Sequence, residues 1–210
     1  LNDQAHNNLP EIDFKELGQV AYASTLQAMR DFTLQRHAGA QDQVWLLEHP
    51  PVFTLGLAGK PEHLIGQTDI PVVNIDRGGQ ITYHGPGQLV AYLLLDLNRR
   101  PYKVRQLVER MENAIIALLA DYGIKGERLA GAPGVYVDGA KIAALGLRVQ
   151  KGCTYHGLAI NVDMDLAPWQ AINPCGYPGM AVTQLRDFVP GVKIADVIPK
   201  LREHLRTALT

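Results

Sequence analysis

Cys175 stands in the run Ile172-Asn173-Pro174-Cys175-Gly176-Tyr177-Pro178-Gly179. Proline and glycine on both sides preclude regular structure there. A structural cysteine is usually a small buried hydrophobe inside a strand or helix, so a thiol on such a loop is a candidate nucleophile. The thiolate is the reactive form, and a nearby cation favours it. Lys141, just after Asp138-Gly139, is a candidate partner. Period-2 alternation gives Lys141 the face of Ala143, Leu145 and Leu147. If that face is the inner one, the amine is desolvated and serves as an acid, base or charge partner. A solvated hairpin lysine is the alternative.

The run Arg77-Gly78-Gly79-Gln80-Ile81-Thr82-Tyr83-His84-Gly85-Pro86-Gly87-Gln88 is the most unusual in the chain. Its glycines let backbone approach a ligand and expose amide N–H groups. It is neither a Walker loop, since no Gly-Lys-Ser/Thr follows, nor a dinucleotide fingerprint. A pair of tight hairpin turns would account for the glycines equally well. The polar groups beside them, Arg77, Thr82, Tyr83 and His84, give the run a binding-site composition. Cys153 and His156 have C-x-x-H spacing, but zinc requires at least three protein ligands and these two face opposite sides of a strand, so no metal is expected. His84 and His156 are otherwise read as satisfied core histidines. Arg99, Arg100, Lys103, Arg105 and Arg110 crowd the start of a helix and read as a solvated face or, alternatively, a docking site for an acidic protein.

Lys plus Arg number 20 against 21 Asp plus Glu, a net charge of -1 that provides no global basic field and makes nucleic acid an unexpected partner. The start, LNDQAHNNLPEID, has no apolar run flanked by basic residues, so no secretory signal is expected. The apolar stretch 89–97 is too short and interrupted to cross a bilayer. Two cysteines make no disulfide framework, so a reducing cytoplasm is the expected location.

The elements that must position these groups follow from periodicity. Asp13 and Glu16 have capping-box spacing and predict a helix with Phe14, Leu17, Ala21, Ala28 and Phe32 inward. A second helix is predicted over 104–122, ended by Gly123, with Val104, Leu107, Val108, Met111, Ala114, Ile115, Leu118 and Leu119 as its stripe. A third places Ile194, Val197, Ile198, Leu201, Leu205 and Leu209 on one side. Strand-like runs lie at 44–48, 72–75, 88–95, 134–137, 141–149 and 155–162, with tight turns at Asp138-Gly139 and Lys151-Gly152. Meanders mixed with long helices predict an α+β fold on a largely antiparallel sheet, and the absence of repeats or linkers predicts one domain over 1–210.

At these residues the chain resembles the lipoyl(octanoyl) transferases. The matching blocks, in the family's order over about 44–190, are Arg77 through Leu89, Gly134 through Leu147, Cys153 through Val162 and Asn173-Pro174-Cys175-Gly176, with Glu48-His49-Pro50 and Thr54-Leu55-Gly56. The resemblance implies the biotin and lipoate protein ligase catalytic fold, with flanking helices on a mixed sheet. It implies Cys175 as nucleophile and Lys141 as its paired lysine. Acyl-binding positions would be Arg77, Gly78, Gly79, Gln80, Ile81, Thr82, Tyr83, His84, Ala144, Leu145, Gly146, Gly157, Leu158 and Ala159. The backbone amides of Gly78, Gly79 and Leu145 are candidate oxyanion donors. The Ala143-Ala144 pair departs from the family, whose members often carry a hydroxyl or thiol there. The implied donor is octanoyl-acyl carrier protein. The implied acceptors are apo lipoyl domains of 2-oxoacid dehydrogenase complexes and the glycine cleavage H protein, with no cofactor. An ATP-dependent lipoate or biotin ligase would share the fold but needs no cysteine. A noncatalytic binding module would tolerate loss of Cys175 or Lys141.

Overall fold

The computed structural model describes residues 11–174 and 179–210. Strands β1 (Ile12–Gln19), β2 (Asp42–Glu48), β3 (Val52–Leu55), β4 (Val72–Asn74) and β5 (Ile81–His84) come from the first part of the chain, with helix α1 (Tyr22–Leu34) after β1. Strand β6 (Gln88–Leu94) and helix α2 (Val104–Ala120) follow. Next come β7 (Glu127–Leu129), β8 (Ala132–Val137), β9 (Ala140–Gln150), β10 (Cys153–Asn161) and the last helix, α3 (Ile194–Leu209). One sheet has the order β1-β2-β6-β10-β9-β8-β7 and a small one the order β4-β3-β5. In the large sheet β1 runs parallel to β2 and the other pairs are antiparallel. The mixed, largely antiparallel α+β architecture expected from the sequence is therefore the one observed. No helix among the described residues is long and apolar enough to cross a membrane.

Every residue of β6 and β10 is buried, because both faces of the sheet are covered. Helices α2 and α3 cover one face, where Leu107, Met111, Ile115, Leu201 and Leu205 pack against Leu89, Ala91, Leu93 and Leu158. Helix α1 covers part of the other through Tyr22, Leu26 and Met29, against Trp45, Val90, Tyr92 and Tyr155. The stripe read for α2 is buried except at Val104, which is exposed in the first turn, and Val108, which is half-buried. Gly123, at φ 72°, ends that helix in the left-handed conformation glycine adopts without strain. The two predicted turns have positive φ at both central residues, Asp138-Gly139 (49° and 80°) and Lys151-Gly152 (51° and 80°). That is the type I′ geometry whose twist matches paired strands.

Two expectations fail. The helix read from Asp13 is instead strand β1, and the helix begins at Tyr22. Parallel pairing with β2, with a register shift between Glu16 and Gly18, outweighs the local capping signal. Ala21 and Ala28 are exposed, and Tyr22, Leu26 and Met29 form the inward stripe in their place. The basic run is also not one solvated face. Asp42, fully buried at the start of β2, accepts from Arg36, from Arg99 Nη2 at 2.8 Å and from Arg100 Nε and Nη2 at 3.0 and 2.5 Å. Arg110 half-buries over the Tyr102 ring at 4.4 Å, leaving Lys103 and Arg105 as exposed members. Tyr102 and Arg100 donate to the Leu209 carbonyl, so this cluster also fastens the end of α3.

Removing one member of a buried ion cluster strands its partners in low dielectric. Asp42→Ala should therefore cost about 3–5 kcal/mol of stability, read from the urea midpoint. A loss below about 1 kcal/mol would show that water enters and solvates the guanidinium groups.

Candidate functional site

An apolar cleft beside the glycine-rich run encloses about 590 Å³, its open mouth included, and lies on the α1 side of the large sheet. Its floor is built by strand register. Ala159 pairs with Ala144 on β9 and Val90 on β6, while Gly157 pairs with Gly146 and Tyr92. Two neighbouring strands thus offer only Gly and Ala where the third offers Val and Tyr. The backbone before β5 forms the roof. The Gly78 N–H donates to the Leu147 carbonyl at 2.9 Å, docking the loop onto β9. The Arg77 guanidinium donates to the Thr54 carbonyl and hydroxyl, each at 2.9 Å, and to the Gly78 carbonyl at 3.0 Å. A Cβ on Gly146 would lie 3.0 Å from Arg77 Cδ and 3.1 Å from the Gly78 carbonyl oxygen, so glycine lets loop and floor fit closely without either having to give.

Lys141 enters this cleft by a β-bulge. Tyr136 on β8 pairs with Lys141 and Val135 with Ala143, leaving Ile142 as the extra residue. Ile142 and Ala143 both pack into the α2/α3 core, while Lys141 lines the cleft with Ala144, Leu145 and Gly146. The expected sharing of a face with Ala143 is therefore wrong, because the bulge breaks strict alternation. The side chain is 1% exposed, which excludes a solvated hairpin lysine. Its Nζ donates to the Pro133 carbonyl at 3.4 Å and lies 5.2 Å from the Tyr136 ring centre. Gly134, at φ 144°, makes room for it, since a Cβ there would meet Lys141 Cε at 3.2 Å and the Ala143 carbonyl oxygen at 2.7 Å. The Lys141 N–H donates to the Ala181 carbonyl and its own carbonyl accepts from Thr183 N–H, tying β9 to the segment after the proline-glycine loop.

The far side of the cleft is aromatic. His84 Nδ1 lies 2.7 Å from Gln88 Oε1. Gln88 Nε2 already donates to the Tyr83 carbonyl and to Asn161 Oδ1, so its oxygen faces His84 and His84 Nδ1 is the protonated nitrogen. His49 donates through Nδ1 to the Val20 carbonyl at 2.7 Å, and its Nε2 accepts from the Tyr92 hydroxyl at 2.8 Å. Burial pushes His49 down to about 4 despite the Val20 bond. Burial, with His49 beside it, brings His84 to about 3. Burial and then Arg77 hold His156 at about 4, against the opposing pull of Asp76. Burial alone would raise the Asp76 carboxyl, but the Tyr155 hydroxyl at 2.6 Å and Arg30 at 3.3 Å keep it below the usual range.

Of the expected acyl-binding positions, Arg77, Gly79, Gln80, Ile81, Thr82, His84, Ala144, Leu145, Gly146, Gly157, Leu158 and Ala159 all line this cleft, with Lys141. Gly78 and Tyr83 do not. The Gly78 amide is committed to Leu147, which also removes it as an oxyanion donor, and the Tyr83 ring packs against Phe53 and Trp169. The sequence reading missed Tyr22, Val90, Tyr92, Trp169 and Pro174 as lining residues and took His156 for core alone. Cys175 lies outside the described residues; Pro174, which precedes it in the chain, lines the cleft. Cys153 is buried away from the cleft, and burial pushes its thiol up.

The family model described as the lipoyl protein ligase A/B catalytic domain matches residues 22–206. The fold agrees with that class. The chain superposes on lipoate-protein ligase A bound with ATP at a TM-score of 0.80 and 17% identity, covering 95% of this chain and 85% of the other. A biotin protein ligase from Aquifex aeolicus in complex with biotin and ATP gives 0.58 at 14% identity, covering 94% and 70%. In sequence, the octanoyltransferase of Thiobacillus denitrificans is 70% identical over 200 residues, covering 95% of this chain and 92% of its own. The chain belongs to the octanoyltransferases of the lipoyl protein ligase A/B family, and it is an acyltransferase.

The neutral histidines have a stability consequence. In the unfolded chain they take protons below about pH 6.5. In the fold they resist until about 4 for His49 and His156 and about 3 for His84. Between those limits the unfolded chain binds more protons, so stability falls as pH drops. The slope is at most about 1.4 kcal/mol per pH unit for each histidine. Urea midpoints at about pH 7.5 and about pH 5 should differ accordingly, and His84→Phe should shrink the difference. Equal midpoints would mean that these imidazoles are charged in the fold.

Proposed function

We propose that this protein moves an octanoyl group from octanoyl-acyl carrier protein, through a thioester on Cys175, to the lysine of a lipoyl domain. The reading is carried by a largely apolar, Gly/Ala-floored cleft with the fully buried amine of Lys141 among its lining residues. The relatives' name supports octanoyl as the group, and Pro174 in the cleft lining supports Cys175 as the nucleophile. The acceptors are the apo lipoyl domains of 2-oxoacid dehydrogenase complexes and the glycine cleavage H protein, reached in the cytoplasm.

The chemistry balances without a nucleotide. Cys175 thiolate attacks the donor carbonyl carbon, a new C–S bond forms, and the carrier's C–S bond breaks to release its thiol. The acceptor amine then attacks the Cys175 thioester, the C–N bond forms, the C–S bond breaks to return the Cys175 thiolate, and the amine proton passes to a base. Thioester exchange is nearly isoenergetic and amide formation is downhill. A free thiol of pKa about 8.5 is only ~3% thiolate at pH 7. An ammonium about 4 Å away favours the thiolate by up to about 4 kcal/mol at an effective dielectric near 20, before desolvation opposes it. Lys141 supplies that cation in the first step and exchanges protons in the second. Each buried methylene adds about 0.8 kcal/mol of binding to the apolar cleft.

Intact mass after mixing with octanoyl-acyl carrier protein should show one octanoyl adduct, and peptide mapping should place it on Cys175, not Cys153. Equal use of free octanoate with ATP would move the protein to the ligase class. Lys141→Ala should slow both half-reactions roughly a hundredfold or more at neutral pH. Higher pH should recover part of the acylation, because hydroxide can generate the thiolate, but little of the transfer. Lys141→Arg should keep more of the first step than of the second, since it is a fixed cation and no base. Single-turnover rates near normal for Lys141→Ala would remove this residue from the mechanism.

A further inference from the structure

The Gly/Ala floor ends abruptly. It spans two strands, roughly 10 Å at about 4.8 Å per strand, and then meets Val90 and Tyr92 on β6. Tyr22, the first residue of α1, stands beside them in the lining. Tyr22 stacks on His84 at 6.0 Å and 15° and sets its edge against His49 at 5.0 Å. Tyr92 is held through its hydroxyl to His49, which is anchored on the Val20 carbonyl, and its ring packs edge-on to His156 at 6.0 Å. Both tyrosines are almost fully buried. Rings fixed on several sides do not yield to a ligand, because close-packed interiors deform little. Behind the two rings lies the apolar layer under α1, with Leu26, Met29 and Trp45 in the same packed cluster. The rings are a partition between the cleft and more apolar space.

We propose that Tyr22 and Tyr92 form the end wall that sets the length of acyl chain the cleft takes, an inference that rests on the acyl-transfer reading above. The wall's imidazoles are uncharged at neutral pH, and the nearby Arg77 guanidinium is braced on the Thr54 and Gly78 oxygens, so an alkyl terminus meets neutral rings. A shorter chain leaves the space before the wall empty, and a longer one collides with it. His49 is a positioning residue that acts through Tyr92. Truncating either tyrosine opens the cleft toward the apolar layer, and each methylene newly buried there is worth roughly a factor of four in binding.

The test loads the whole protein with an equimolar mixture of hexanoyl-, octanoyl-, decanoyl- and dodecanoyl-acyl carrier protein and reads adduct ratios by intact mass. Such ratios do not depend on the fraction of protein that is folded. The unaltered chain should load octanoyl predominantly. Tyr22→Val and Tyr92→Val should raise the decanoyl-to-octanoyl ratio about tenfold. Ala159→Val, which raises the floor, should shift loading toward hexanoyl. If Tyr92→Val is insoluble, the Tyr22 and Ala159 variants decide the matter. Failure of the unaltered chain to load any thioester would overturn the acyl-transfer reading itself. Loading with the same length distribution in the unaltered chain and the variants would overturn the wall alone.

Discussion

Strands β9 and β10 are hydrogen-bonded in a register that sets Gly146 opposite Gly157 and Ala144 opposite Ala159. Larger side chains at these four positions would fill the sheet face, as Tyr92 and Tyr155 fill it nearby. The close approaches show how little slack the arrangement has. A Cβ on Gly157 would lie 2.1 Å from the Ala91 carbonyl oxygen, so β10 sits against β6 in a way only glycine allows. His156, the preceding residue, takes a φ of 62° where non-glycine residues are uncommon, and its imidazole lines the cleft. The strain at His156 and the absent side chains at 146 and 157 are parts of one local geometry. The docking of the glycine loop uses that geometry too, because Arg77 lies across Gly146 where a side chain would press on it.

A cleft built this way sets neutral rings beside two basic groups. His49, His84 and His156 are held neutral by burial, and burial pushes the Tyr22 and Tyr92 hydroxyls up, so they stay protonated. Arg77 is braced by three oxygen acceptors on Thr54 and Gly78. Lys141 brings a second basic group to the lining from a different strand, through the β9 bulge. On the proposed reading, the alkyl end of the substrate faces uncharged rings and the thioester end faces the amine. A symmetrical apolar pocket would bind the chain but leave the thiol without a cation. A uniformly charged one would resist the alkyl group.

Parts of this arrangement are legible in the sequence because their cause is local. Helices α2 and α3 carry sustained apolar stripes, and Asp138-Gly139 and Lys151-Gly152 are residues that accept positive φ. Strand β1 was hidden because Asp13 and Glu16 meet the capping spacing by chance, while what makes the segment a strand is β2, far along the chain. Strands β3 and β5 were hidden among glycine and proline, where loops are the ordinary expectation. Arg100 looked solvated because Asp42, its partner, is remote in sequence. The bulge at Ile142 inverts the facing that alternation assigns to Lys141, and nothing in the adjacent residues announces it. Most of the cleft floor and roof was reachable through resemblance to the family. The aromatic wall was not, since Tyr22 and Tyr92 become neighbours only through the β2-β6-β10 order of the sheet and the packing of α1 upon it.

The two kinds of similarity bear on different levels of this structure. A fold shared with lipoate-protein ligase A at 17% identity shows that the architecture follows from pattern, meaning apolar alternation, turn residues and helix stripes that many sequences satisfy. The cleft follows from residue identity at a few places where substitution is sterically forbidden or chemically costly. Gly157 admits no side chain, a Cβ on Gly146 would press on Arg77 and the Gly78 carbonyl, and Gly134 leaves the space that Lys141 occupies. These positions lie on the sheet face opposite the larger core that α2 and α3 bury. A shared fold therefore leaves the chemistry to the residues of the site, and on the proposed reading it is the cleft residues that set the acyl specificity of this chain.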